Sequence, residues 1–170
     1  MNPHPQPASG ELAGSRHFFP LRVYYEDTDL SGIVYHANYL RWFERARSDL
    51  LRLLGIDQRT AAETGIGTYA VADMAIKFAA PAKLDDDIVI VSRALGLGAA
   101  SVRLLQQAFR GERMLAEAIV RVGFVAPDGR PRRQPAEWQA AFRQLQPSAL
   151  AEPTVATAAS VEPTIVKDNE

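Results

Sequence analysis

An α+β fold, in which an antiparallel sheet of five strands wraps around one long central helix and a short helix follows, is what this sequence of 170 residues predicts. Apolar residues recur at helical spacing in one long segment only, from Asn38 to Leu54. Alternating or β-branched runs occur once before that segment and four times in succession after it, joined by short turns. Parallel strands need long crossovers, and there are too few of them here, so the strands form an antiparallel meander over the helix.

The first strand is read from Leu21, with Leu21, Val23 and Tyr25 on one side and Arg22, Tyr24 and Glu26 on the other. In the helix Tyr39, Phe43, Ala46, Leu50 and Leu53, joined by Trp42 and Leu54, make a wide apolar stripe, while Arg41, Glu44, Arg45, Asp49 and Arg52 fill the other faces. Gly55 ends it as a left-handed cap. Ala70, Met74, Ile76 and Phe78 alternate with Asp73 and Lys77 in a second strand, closed by Pro81. Ile88 to Leu95 is the third strand, broken by the turn Gly96-Leu97-Gly98. Val102 to Arg110 and Met114 to Val125 form a hairpin across Gly111-Glu112, where glycine supplies the positive φ of a type II′ turn. Asp128-Gly129 is a turn, and Pro135 opens a short helix at its favoured first position, with Trp138, Ala141, Phe142 and Leu145 on one face.

Residues 16–146 are thus expected to form one domain. Residues 1–15, with Pro3, Pro5 and Pro7, and residues 147–170, rich in Ala, Pro and Thr, keep no period and are expected to be disordered tails that can be deleted without loss of folding.

Composition narrows the function. With 19 Lys plus Arg against 20 Asp plus Glu, the net charge of -1 gives no field to draw a nucleic acid. The absence of cysteine removes disulfides, thiolate metal sites and a cysteine nucleophile. His4, His17 and His36 are scattered, so no metal or cofactor is expected. No apolar run approaches the roughly 20 residues of a membrane span, and the start lacks the apolar stretch of a signal peptide, so a cytoplasmic location is expected.

Reactive side chains are densest between the first strand and the helix: Glu26, Asp27, Thr28, Asp29, Tyr35, His36, Asn38 and Tyr39. Carboxylates beside a helix start face free amides and the positive end of the dipole, which is where an acid/base group and an electrophile-stabilising site can be neighbours. The competing reading is that Asp27 and Asp29 only make turn and capping bonds. Asn38 is read as an N-terminal cap. Tyr35 and Tyr39 either line a pocket or belong to the core.

The run VYYEDTDLSGIVYHANYLRWFERARSDLL, residues 23–51, resembles the signature of hotdog-fold acyl-CoA thioesterases of the hydroxybenzoyl-CoA thioesterase type, and most of all the branch associated with the Tol-Pal system of Gram-negative bacteria. The resemblance covers residues 20–145 in element order and implies a sheet wrapped around a central helix, as already read. It further implies catalysis by the second aspartate of the pair, Asp29, either as a general base on water or as a nucleophile forming a mixed anhydride. The backbone N–H at His36 would polarise the thioester carbonyl, with the His36 side chain near the acyl group or purely structural. Tyr35, Asn38 and Tyr39 become candidate substrate-binding residues. Acyl-CoA is then the substrate, acyl carrier protein a candidate partner, and a homodimer or homotetramer the expected assembly. Arg130, Arg132 and Arg133 are candidates for coenzyme phosphates or for docking the carrier protein, against a solvated turn. The rival functions are a non-catalytic acyl-CoA or acyl-carrier-protein binding module and a hotdog dehydratase using His36. Asp29 discriminates against the first, since a binding module has no use for a carboxylate beside a thioester carbonyl.

Overall fold

A computed structural model describes residues 7–146. The expected tails at 1–6 and 147–170 lie outside the described residues. In chain order the elements are β1 (Glu11–Ala13), β2 (Arg16–Arg22), a single 3-10 turn (Tyr25–Asp27), α1 (His36–Leu53), α2 (Gln58–Glu63), β3 (Thr68–Phe78), β4 (Asp87–Leu97), β5 (Ser101–Arg110), β6 (Arg113–Val125) and α3 (Ala136–Arg143). The strands form one sheet in the order β1-β2-β4-β5-β6-β3, and every pairing is antiparallel. The sheet therefore has six strands rather than the expected five.

The helix is buried along most of the predicted stripe: Tyr39, Trp42, Phe43, Ala46 and Leu50 are all at most 3% exposed, whereas Leu53 is exposed and Asp49, assigned to another face, is buried. Its first half packs with Val23, Ile88, Ile90, Leu115 and Ala118. Its second half packs with Leu104, Val120 and Phe124 under the lid of α3, where Trp138 and Phe142 close the core. Between these apolar halves runs a buried polar layer. Gln106 of β5 donates to the Phe43 carbonyl (3.1 Å) and to Ser92 Oγ (3.0 Å) and accepts from Arg47 Nη1 (2.7 Å).

Four expectations are corrected. The strand read from Leu21 to Glu26 is β2, Arg16–Arg22, and overlaps it only at Leu21 and Arg22. The Asp27 carboxylate accepts the Tyr24 N–H (2.8 Å) and turns the chain into the 3-10 turn, so Val23 is buried while Tyr25 is 83% exposed. Residues 11–13, assigned to the disordered tail, pair with β2 because the Asp49 carboxylate of α1 holds the segment before them. It accepts from Ser9 Oγ (2.9 Å), the Gly10 N–H (2.9 Å) and His17 Nε2 (2.9 Å). Gly96 lies inside β4 at an irregularity between Ala94 and Gly96, and the turn comes at Gly98, whose N–H reaches the Ser101 carbonyl. Helix α2 was not expected at all. It is short and polar, and Asp57 caps it by accepting from the Thr60 N–H (3.0 Å).

The hairpin at Gly111-Glu112 is as read: Gly111 has φ +57° and Glu112 does not share the positive φ, as a type II′ turn requires. Gly55 has φ +72° and Pro135 stands one residue before α3, at its cap rather than its first position.

The Asp49 clasp makes a prediction opposite to the expectation of dispensable tails. Truncation before residue 11 removes two of three donors from a buried carboxylate. The protein starting at Glu11 should lose about 1–3 kcal/mol, read as a lower urea midpoint against the protein starting at Pro7. Acid acts on the same group. Burial alone would raise the Asp49 pKa, but the bonds from His17, Gly10 and Ser9 outweigh it and hold the group below its ordinary value. A carboxyl depressed in the folded state stabilises above its unfolded pKa, and that contribution is lost as pH falls through the folded one. Thermal melts should show Asp49-dependent stability unchanged from pH 7 to 5 and lost below about pH 4.

Candidate active site

The chain leaves the 3-10 turn in a loop hung between two fixed points. At its base Thr28 bridges Val34 in antiparallel fashion, and the Asp29 N–H donates to the Ile33 carbonyl (3.0 Å). Its tip is a tight turn in which the Gly32 N–H reaches the Asp29 carbonyl (3.0 Å). Gly32 has φ +73°, a conformation that favours glycine. The Asp29 carboxylate turns inward on this loop, accepting from the Ser31 N–H (2.8 Å) and from Ser31 Oγ. Those two bonds, with the nearby His36 ring adding to them, hold its pKa below the usual aspartate value although the group stands in solvent. Asp29 is therefore a carboxylate, not an acid, at neutral pH.

The loop leads straight into α1, whose first amides, those of His36 and Ala37, have no acceptor within the helix. They carry the positive end of its dipole to within a few residues of Asp29. Beside this helix start lies an apolar cleft of about 370 Å³ lined by Ile33, Val34, His36, Tyr39, Phe78 and the run to Pro81. Phe78, half exposed, meets the Tyr39 ring at 5.5 Å and the His36 ring at 6.2 Å, both edge-on. Burial raises the Tyr39 hydroxyl pKa, so it remains a neutral phenol.

The residues predicted from sequence fall into distinct positions. Asp29 and His36 flank one helix start, Tyr35 caps that helix half exposed with its ring tilted against that of His36 (4.4 Å), and Tyr39 is buried behind the cleft. Asn38 is not the cap. It is the third residue of α1, 5% exposed, and its Nδ2 donates to the Asp27 carbonyl (2.8 Å). Asp27 is likewise buried and occupied with the Tyr24 N–H.

The arginines are not brought together with the cleft. Arg132 Nη1 donates to the Gly65 and Ile66 carbonyls just before β3, and Arg130 lies 3.8 Å from Asp128. The cleft is at Phe78, the other end of an eleven-residue strand and so about 30 Å away. The cleft wall from Phe78 to Pro81 is what sequence reasoning missed. Pro81 was read only as a strand terminator, and nothing local says that the end of β3 faces the start of α1. Among the described residues no group of His, Asp and Glu has the geometry of a metal site, and no helix is long and apolar enough to cross a membrane.

Comparison with known proteins gives consistent matches. The model of the Thioesterase-like superfamily matches residues 23–146. The acyl-CoA thioesterase YbgC of Haemophilus influenzae is 40% identical over 129 residues, 75% of this chain and 95% of that protein. The acyl-CoA thioester hydrolase YbgC of Escherichia coli O6:H1 is 37% identical over 128 residues, 74% and 95% of the respective chains. The crystal structure of a probable thioesterase from Bartonella henselae superposes with a TM-score of 0.67 at 40% identity, covering 71% of this chain and 99% of that one.

Proposed function

This chain belongs to the Thioesterase-like superfamily and is a hotdog-fold acyl-CoA thioesterase, and on that footing we propose that Asp29 does the chemistry, with the His36 amide as its electrophilic partner. The observation that carries the assignment is an ionised carboxylate at the start of a helix that flanks an apolar cleft. The acyl group lies against Phe78 and Tyr39, with its carbonyl oxygen facing the free amides of α1. As the carbonyl is attacked it gathers negative charge, and amides already aimed at that oxygen stabilise the charge without reorganising. Asp29 then acts either as a nucleophile, expelling coenzyme A thiolate to give a mixed anhydride that water cleaves, or as a general base on the attacking water. The products are free acid and coenzyme A thiol.

The test is simple because the chain has no cysteine. A thiol-reactive dye reports coenzyme release with no background from the protein. Turnover with at least one member of a panel of short, long and aromatic acyl-CoAs is expected, and acyl carrier protein loaded with the best acyl group is the second arm. Tight binding of acyl-CoA without thiol release would establish a binding module instead.

The assembly is a homodimer formed through β3. This strand is an edge of the sheet, eleven residues long, with Val71 49% and Phe78 50% exposed. Beside it the groove against α1 is lined by Leu40, Arg41, Met74 and Ile76. An open ladder of that length with apolar flanks is satisfied by a second copy. Light scattering should give twice the chain mass at micromolar concentration, and Val71→Lys should halve it. A wild-type monomer at that concentration would rule the interface out.

A further inference from the structure

The Asp27 carbonyl oxygen accepts two hydrogen bonds, from the Tyr35 N–H (2.9 Å) and from Asn38 Nδ2 (2.8 Å). These donors come from the cap and the first turn of α1, and Asp27 stands two residues before Asp29. Asn38 is itself fixed, because its own N–H donates to the Tyr35 carbonyl (2.9 Å) and its side chain is buried. One side chain thus ties the base of the loop carrying the carboxylate to the helix turn carrying the free amides. We propose that Asn38 is a positioning residue that sets the distance between the Asp29 carboxylate and the amides at the start of α1. It touches neither substrate nor reacting atoms.

The chemistry explains why a side chain is used in addition to the backbone bond. The Tyr35 N–H alone satisfies the Asp27 carbonyl, so the loop would stay closed without Asn38. What a single bond leaves free is rotation of the loop base about that contact. A second donor arriving from the first turn of the helix, three residues after the cap, removes it. Attack on a carbonyl already held by amides tolerates little misplacement, and displacements of about 1 Å cost on the order of 100-fold.

This inference rests on Asp29 being the reacting carboxylate, and the experiment separates the two claims. Asn38→Ala, Asn38→Leu, Asp29→Asn and the Asn38→Ala/Asp29→Asn double variant are compared in kcat, in affinity for a non-hydrolysable thioether analogue of the best acyl-CoA, and in urea midpoint. Asn38→Leu keeps the size of the side chain without a donor or a charge, and serves if the alanine variant does not fold.

The expected result is a kcat lower by about 10-fold to 100-fold in either Asn38 variant, an analogue affinity within about twofold of wild type, and no further loss in the double variant. Unchanged kcat in a folded Asn38 variant overturns the proposal. So does a parallel loss of kcat and analogue affinity, which would make Asn38 a substrate-binding residue. A loss that multiplies in the Asp29→Asn background overturns it as well, since the two residues would then act separately. Near-normal turnover by Asp29→Asn alone removes both the catalytic assignment and the clamp built on it.

Discussion

Asp29→Asn should lower kcat by at least about 100-fold while leaving acyl-CoA binding intact. Asparagine keeps the size of the side chain and one acceptor oxygen for the Ser31 bonds, so the loop is preserved. What it loses is the negative charge, and with it both the nucleophile and any capacity to take a proton from water. Asp27→Asn is the matched control. That residue is buried and engaged with the Tyr24 N–H, so its replacement should act on loop stability first and on turnover less than Asp29→Asn does. Stopped thiol-release assays at saturating acyl-CoA, with binding followed by calorimetry, distinguish the cases. Wild-type turnover in Asp29→Asn would refute the mechanism.

The largest effect on stability is expected away from the chemistry, at Asp49. Truncation to alanine leaves the buried His17 ring, the Gly10 N–H and Ser9 Oγ without their common acceptor. His17 is fully buried and its Nδ1 already has no partner, so it cannot find compensation nearby. Breaking a buried pair by removing one member costs about 3–5 kcal/mol. For a chain of this size that is a fall in Tm of roughly 10 °C. Arg59→Ala breaks a pair between Arg59 and Glu63 that is exposed on both sides, and should change stability by less than about 0.5 kcal/mol. An Asp49→Ala protein as stable as the Arg59 variant would mean that the clasp contributes nothing.

The sequence made most of this fold legible. Helix α1 was readable because five bulky residues recur at its period, and β3 to β6 because their alternation lies between glycine turns. Strand β2 was not readable. Its run His17-Phe18-Phe19-Pro20 does not alternate in polarity, since the buried histidine answers to Asp49, thirty-two residues away. The false strand at Leu21–Glu26 alternates well, but the Asp27 carboxylate ends it by bonding backwards. In the site, Asp29 and His36 were legible as a cluster of chemistry beside a helix start. The placing of Asn38 at the cap was a near miss, because asparagine favours caps when the helix begins at that residue, and here Tyr35 is the cap, three positions earlier than expected. A long-range partner decided β2, while the Asp27 turn and the Tyr35 cap are local side-chain and backbone bonds that hydrophobic periodicity does not report.

The open ladder of β3 also decides how this protein is lost from solution. A protomer whose β3 is uncovered presents an unpaired edge on which another chain can add, and the exposed Val71 and Phe78 supply the apolar contact that makes such addition persist. In the proposed dimer, colloidal lifetime is set by the concentration of separated protomers, so mild heating, which separates them, promotes precipitation. The irregularity between Val71 and Asp73 works against open-ended growth. A bulge there bends the strand and interrupts its spacing, so a partner with the same irregularity fits in one register and one orientation. In the proposed dimer pairing ends at two copies, and the edge that invites association also terminates it.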